Sequence, residues 1–334
     1  MGLAPYPCKP VSLPRITLVY VALAIAAMGV FGLSLTMGSV DMSPAELLRA
    51  LFGPGDSLGH AVVFELRLPR ALTAFAAGGV LALAGVLMQV LLRNPLADPF
   101  VMGVSGGAAV AALGAMLLGL GALAIDIAAA VGALATTVLV FALAHSAYDW
   151  SPARLLLTGV VIAAGASAVV SMLLTLGDET QLRGMLFWLM GDLSQSTRST
   201  PLVAVFAIAL LLAFPFARHL NVLARGDVQA RTVGAHVDAL RIGIFVASSV
   251  LTAASVTTAG TIGFVGLVTP HLVRLMLGAD HRLVLPAAGL LGGTLVMCAD
   301  LGARVLFAPR QLPVGALTAL AGVPLFLLLM RRTK

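Results

Sequence analysis

The sequence has few charges, very little lysine and only two cysteines. Charged residues make up 10% of its 334 residues, less than half of the ~25% that is usual in soluble domains. Lysine occurs only at Lys9 and Lys334, so the net charge of +6 is not carried by the basic runs that bind nucleic acid. Cys8 and Cys298 allow no disulfide framework. With 60% hydrophobic residues, the composition excludes a single soluble core and predicts a multi-span α-helical membrane protein.

The common signatures of nucleotide and metal chemistry are also missing. A P-loop needs a lysine after its second glycine, and neither lysine stands in such a context. No His-Glu-x-x-His or Cys-x-x-Cys sequence occurs, and the six histidines are scattered. We therefore expect no metal site, no directly bound cofactor and no catalytic residues.

Long uncharged runs are what the sequence has instead. A membrane helix needs ~20 mostly apolar residues, and such runs predict an all-α protein with ten spans. The predicted spans lie at 17–37, 71–92, 100–144 (two spans divided at Gly119-Leu120-Gly121), 155–177, 199–217, 242–273 (two spans divided within 257–263), 283–306 and 311–330. We expect one transmembrane domain over 1–334, with a tail at 1–15 and a long loop at 221–241.

Ten spans place both termini on the same side of the membrane. If that side is cytoplasmic, 13 of the 20 basic residues lie in inner segments, as the positive-inside rule favours. We therefore predict cytoplasmic termini, and contact with membrane lipid but not with nucleic acid.

Three charged or proline-rich segments interrupt this pattern. Arg67-Leu68-Pro69-Arg70 is predicted to open the second span at the outer surface, with Pro69 in the first helical turn. Its arginines suit either snorkelling or docking of an acidic partner. Residues 93–99 form a rigid inner turn with two prolines. Residues 226–234 predict a short helix that ends at Gly234.

Two alternative functions depend on single residues. Asp300 and Arg304 have the i, i+4 spacing of a helical ion pair, and Asp300 is the best candidate for the embedded carboxylate of an ion-gradient-driven secondary transporter. Ser105 lies in a Gly-x-Ser-x-Gly match, and the shorter sequence Gly-x-Ser-Gly that it contains also occurs in intramembrane serine proteases. It would need His145 or His271 as a base. We interpret the glycines mainly as helix packing.

Several motifs together resemble one family, the permease subunits of type II ATP-binding-cassette importers for iron–siderophore complexes, haem and cobalamin. The matching stretches keep their order and spacing from about residue 65 to the C-terminus. They are 67–70, 85–89, 93–99, 103–108, 187–191, 226–234, 263–271, 280–282, 299–304 and 312–324.

This resemblance implies partners and roles for individual residues. The expected partners are separate ATPase subunits that use ATP, a periplasmic or lipid-anchored substrate-binding protein, and a second permease subunit, as in a homodimer in a bacterial inner membrane. The implied sites are binding-protein docking at Arg67, Arg70 and Arg304, ATPase coupling at Gly226, Asp227, Ala230, Arg231 and Gly234, and gating at Asn94, Leu96, Ser151 and Pro152. Gln311 stands where many members have Glu.

Overall fold

The computed structural model describes residues 12–38, 42–53, 58–144, 151–194 and 199–332, and this part of the chain contains helices and no strand. The helices are α1 (Leu13–Thr36), α2 (Pro44–Phe52), α3 (Leu58–Ala61), α4 (Leu68–Leu91), α5 (Val104–Leu117), α6 (Ala122–Ala144), α7 (Pro152–Leu176), α8 (Glu179–Leu189), α9 (Thr200–Ala224), α10 (Asp227–Thr232), α11 (Val237–Ala259), α12 (Val265–Leu277), α13 (His281–Val305) and α14 (Val314–Arg332).

Seven helical segments of the described chain are long and apolar enough to cross a membrane. They are α1, the continuous helix over 58–91, α6, α7, α9, α11 and α13. Three shorter apolar helices, α5, α12 and α14, occupy the other predicted span positions. The all-α prediction is confirmed, and the count of ten crossings stays a prediction.

The second span begins earlier than the sequence indicated. A π-helical segment, Val62–Arg67, joins α3 to α4 without a break. Leu68 N donates to Val63 O in this wider turn, directly before Pro69. A proline cannot fit a regular α-helical interior, and the π turn is the local departure that precedes it. Arg67 therefore lies within a helix rather than ahead of one.

Helix α4 is the centre of the bundle and packs against α9, α11, α12 and α13. Most of its side chains are buried. A Cβ added at Gly85 would lie 2.0 Å from Gly266 O on α12, and one at Gly78 would lie 2.1 Å from Gly292 O on α13. Such contacts allow backbones to approach closely, and they account for glycines inside the spans.

The contacts of α4 define two ends of the bundle. Its N-terminus lies beside the C-termini of α1 and α13, and we call this the arginine end, after Arg67, Arg70 and Arg304. Its C-terminus lies beside α10 and the start of α11, and we call this the loop end.

Candidate functional site

At the arginine end, two arginines hold one carboxylate. Arg70 Nε and Nη2 lie 2.9 and 2.8 Å from Asp300 Oδ1. Arg304 Nε lies 3.1 Å from Asp300 Oδ2, one helical turn along α13. Arg70 Nη1 also donates to Gln311 Oε1 at 3.0 Å. The predicted Asp300–Arg304 pair is thus present, and Arg70 shares the same carboxylate.

The arginines also bind the C-terminus of α1. Arg67 Nη1 donates to Leu35 O at 2.7 Å and to Thr36 O at 2.8 Å. Arg304 Nη1 lies 3.3 Å from both Ser34 O and Met37 O. The last carbonyls of a helix lack intrahelical donors and carry partial negative charge, so guanidinium groups suit them. The cluster therefore joins α1, α4 and α13.

This cluster is buried, which differs from the surface position that the sequence predicted. Arg67, Arg70 and Arg304 are 7, 9 and 6% exposed, and Asp300 is 1% exposed. Buried charges need partners, and α1 carbonyls are partners that sequence spacing cannot reveal, since they lie about 30 residues from Arg67. The docking role of the three arginines stays a prediction.

At the loop end, the predicted short helix is present as α10. Gly226, with φ of 121°, precedes it, and Gly234, with φ of 80°, follows it. Ala235 N donates to Ala230 O and Gly234 N to Arg231 O, both at 3.0 Å, which is the Schellman pattern of a helix C-terminus. Glycine is favoured at Gly234 because this pattern requires the left-handed conformation.

One face of α10 packs inward and the other faces out. Ala230 is fully buried against the bundle, whereas Val228 and Val233 are 78 and 68% exposed. Exposed apolar side chains on a short, tightly capped helix form a surface that a partner can cover. Of the residues predicted for ATPase coupling, Gly226, Ala230 and Gly234 fix the position of α10, and Arg231 is exposed.

Asp227 connects α10 to two other elements. Its Oδ2 lies 2.6 Å from Arg241 Nη2 on α11 and 3.1 Å from Arg93 Nη2 after α4. Arg231 pairs separately with Asp238 at 3.3 Å, where both side chains are exposed. Sequence reasoning missed Arg93 and Arg241 as partners of Asp227, because the first of them lies 134 residues away.

Residues 93–98, which we call the α4–α5 turn, follow α4 and begin with Arg93. Asn94 Oδ1 accepts from Leu96 N at 2.9 Å, and Leu96 is 39% exposed. Asp98 Oδ1 accepts from Phe100 N at 2.8 Å and caps the 3₁₀ segment Pro99–Met102. Burial raises the pKa of Asp98 to about 6, against the lowering effect of that hydrogen bond. The turn is thus closed by its own side chains.

The second predicted gate pair lies at the start of α7. Ser151 Oγ accepts from Arg154 N at 3.4 Å, and Pro152 is the first residue of the helix. Within the described ranges, no hydrogen bond joins this pair to Asn94 or Leu96. Helix α7 does approach the chain after the turn, since a Cβ at Gly159 would lie 2.4 Å from Val101 O. The helix that begins with one gate pair thus contacts the 3₁₀ segment that follows the other. Gating itself stays a prediction.

The residues on which the two alternative functions depend lie in packed or ion-paired positions. A Cβ at Gly107 would lie 2.5 Å from Gly132 O, and one at Gly106 would lie 2.8 Å from the Ala166 Cβ. The Ser105 motif therefore serves packing of α5 against α6 and α7, and His145 lies outside the described ranges. Asp300 is neutralised by two arginines, which does not suit a coupling carboxylate.

The described chain also lacks a cluster of three or more metal-ligating side chains. No group of His, Cys, Asp or Glu that could hold a metal ion occurs in the described ranges.

Comparison with known proteins places the chain in a family. It matches the FecCD transport family over residues 23–332. The hemin transport system permease protein HmuU of Yersinia pestis is 40% identical over 332 residues, which cover 96% of this chain and 97% of that protein. The vitamin B12 import system permease protein BtuC of Vibrio cholerae is 38% identical over 306 residues, covering 90% of this chain and 92% of that protein.

A solved structure is also similar to this chain. It is described as an inward-facing conformation of a metal-chelate type ABC transporter and has a TM-score of 0.84 and 31% identity. The match covers 95% of this chain and 99% of the chain in the solved structure.

The fold, the two charged ends and the matches define a multi-pass membrane permease. The chain belongs to the FecCD transport family. It is a permease subunit of the ATP-binding-cassette importer type rather than an enzyme. The family resemblance drawn from the motifs is thus confirmed.

Proposed function

We propose that this permease passes a bulky metal chelate of the iron–siderophore, haem or cobalamin class from a substrate-binding protein to the cytoplasm. The observation that carries this proposal is the similarity over nearly the whole chain to a hemin permease and a vitamin B12 permease, at 40 and 38% identity. Because the two identities are nearly equal, they favour the substrate class without selecting one member.

The proposed mechanism is alternating access driven by separate ATPase subunits. In this proposal the chain is a single permease domain with ten spans and cytoplasmic termini, and it pairs with a second permease subunit. The charge balance supports that orientation, since it puts 13 of the 20 basic residues on the cytoplasmic side. The loop end then faces the ATPase, and the arginine end faces the substrate-binding protein.

The α10 surface is the proposed contact with the ATPase. Its exposed Val228 and Val233 flank Arg231 on a helix that is fixed at both ends by glycines. Buried Ala230 holds the opposite face against the bundle. A rigid helix with an exposed apolar face is suited to transmit the movement of a partner into the spans.

The arginine end is the proposed docking site for the substrate-binding protein. Two guanidinium groups hold one carboxylate and Arg67 binds carbonyls at the same end, so these three arginines and Asp300 together carry an excess of positive charge. Acidic residues of a partner would be attracted to this excess, and the attraction would weaken as salt increases. Because the guanidinium groups are buried, a partner would either have to draw them to the surface or be attracted by their electrostatic field.

Docking is tested by the double variant Arg67→Glu/Arg70→Glu, with Arg310→Glu as the matched control. Arg310 is an exposed arginine shortly after α13. We expect the double variant to lose binding-protein affinity at low salt, whereas Arg310→Glu keeps most of it. Equal affinity of the wild type and the double variant across the salt range would remove the docking assignment.

The transport proposal is tested by uptake into proteoliposomes that hold the permease with its cognate ATPase and binding protein. The probes are haemin, cyanocobalamin and a ferric hydroxamate, each with ATP or with an ion gradient alone. We expect ATP-dependent uptake of one of these chelates. Uptake that needs only a gradient would support the secondary transporter instead. Absence of ATP-dependent uptake for all three chelates would contradict the proposed substrate class.

A further inference from the structure

The backbone at Arg93 is unusual for an arginine. Its φ of 47° lies in the left-handed region, which residues other than glycine adopt rarely. Arg93 N donates to Val90 O and Asn94 N to Gln89 O, both at 3.2 Å. These two bonds are the Schellman pattern at the end of α4, and glycine is the usual residue at this position. An arginine here indicates that its side chain is needed.

The side chain of Arg93 reaches Asp227, the first residue of α10. The Nη2–Oδ2 distance is 3.1 Å, and the two side chains are 38 and 29% exposed. The backbone of the loop also comes close, because a Cβ at Gly226 would lie 3.7 Å from Arg93 Nη1. Arg93 thus joins the C-terminus of α4 to the N-terminus of α10.

The same carboxylate is held more firmly from the other side. Arg241 Nη2 lies 2.6 Å from Asp227 Oδ2, and the Arg241 side chain is only 6% exposed. Ion pairs that exclude water are stronger than exposed ones, because water screens the exposed charges. Asp227 therefore pairs with a buried arginine on α11 and with a more exposed arginine at the α4–α5 turn.

From this geometry we propose that the Arg93–Asp227 pair transmits the movement of α10 to the α4–α5 turn, with Arg93 and Asp227 as positioning residues for Leu96. The inference rests on the proposed function, in which α10 meets the ATPase and Leu96 lines a cytoplasmic gate. When α10 moves, Asp227 draws Arg93 with it, and the turn closed by Asn94 follows because its backbone continues directly from Arg93. Asp98 then carries the displacement into the 3₁₀ segment.

The test measures access to Leu96 in the assembled complex. A Leu96→Cys permease in a Cys8→Ser/Cys298→Ser background is placed in nanodiscs with its cognate ATPase. The probe is a charged maleimide, applied with and without ATP and vanadate. In this reference protein we expect ATP to change the labelling rate about fivefold or more, the lower range of a coupling between two sites.

Two variants remove the link, and two others control for it. Arg93→Gln and Asp227→Asn are expected to bring the labelling ratio close to one while ATP is still hydrolysed. Arg93→Gln leaves the Arg241–Asp227 pair in place, so it remains informative if Asp227→Asn folds poorly. Asp238→Asn removes a different carboxylate, at the start of α11, that pairs with exposed Arg231, and it should keep the full response. Arg93→Lys keeps the charge and should retain most of the response.

The outcomes separate the inference from the function on which it rests. If the reference protein shows no ATP response, the proposed coupling and gate fail, and the inference fails with them. If the reference protein responds and Arg93→Gln responds equally, the inference alone is overturned. It is also overturned if Arg93→Lys is as unresponsive as Arg93→Gln, because the ion pair would then not be the working contact.

Discussion

The two ends of the bundle carry similar charges in opposite settings. At the arginine end, Asp300 is 1% exposed and is held by two arginines that are themselves buried. At the loop end, Arg231 and Asp238 are 61 and 69% exposed, and the Arg93–Asp227 pair is partly open to solvent. The buried charges fix three helices against each other, whereas the exposed ones leave α10 accessible. One end therefore joins three helices through buried charges, and the other presents α10 at the surface.

The largest expected effect is the loss of the buried carboxylate. Asp300→Ala leaves Arg70 and Arg304 without their shared counter-ion, and breaking a buried pair in this way typically costs ~3–5 kcal/mol of stability. Thermal unfolding in detergent should show a clearly lower midpoint than that of the wild type.

The matched control lies at the other end of the bundle. Asp238→Ala breaks an exposed pair, and such pairs contribute only ~0.2–1 kcal/mol. Equal destabilisation by the two substitutions would remove the contrast between the ends.

A smaller effect is expected from pH at the loop end. The pKa of Asp98 is raised to about 6 by burial, so between its unfolded and folded pKa values the folded state binds the proton and the unfolded state does not. Stability therefore decreases as the pH rises through this range. Relative to Asp98→Asn, which keeps the Oδ1 acceptor, wild-type stability should fall by about 1 kcal/mol between pH 5 and pH 7.

The pH comparison uses denaturation midpoints of both proteins in the same buffers. Parallel curves for the wild type and Asp98→Asn would show that Asp98 does not titrate in this range. The isosteric variant makes the difference specific to this carboxyl, since all other titrating groups are shared.

A substitution at the C-terminal end of α10 should change local stability by a similar or smaller amount. Gly234 has φ of 80°, so Gly234→Ala should destabilise this helix end by ~1 kcal/mol, whereas Gly234→Asn tolerates the left-handed conformation better. Hydrogen exchange of the α10 amides is the measurement. Faster exchange in both variants alike, or in neither, would contradict the role of the left-handed cap.

Local patterns predicted most of the fold. Uncharged runs located the seven long and three shorter apolar helices of the described ranges, since hydrophobic length depends only on neighbouring residues. Gly234 predicted the end of α10, and the i, i+4 spacing predicted the Asp300–Arg304 pair. These features need no knowledge of which helices meet.

The contacts between distant segments could not be predicted in this way. Arg70 and Asp300 are 230 residues apart, and Arg93 and Asp227 are 134 apart. Arg67 binds backbone carbonyls, which leave no trace in the residue types of α1. Arg67 and Arg70 were consequently predicted to lie at the surface, and they are buried in the structure.

The most direct test of the account uses Arg93→Gly in the nanodisc labelling assay. Glycine relieves the left-handed backbone and removes the ion pair, two small and opposing effects on stability. We predict an unfolding midpoint close to that of the wild type, together with loss of the ATP-dependent change in labelling at Leu96→Cys. A retained ATP response in Arg93→Gly would contradict the claim that the loop end transmits movement through this side chain.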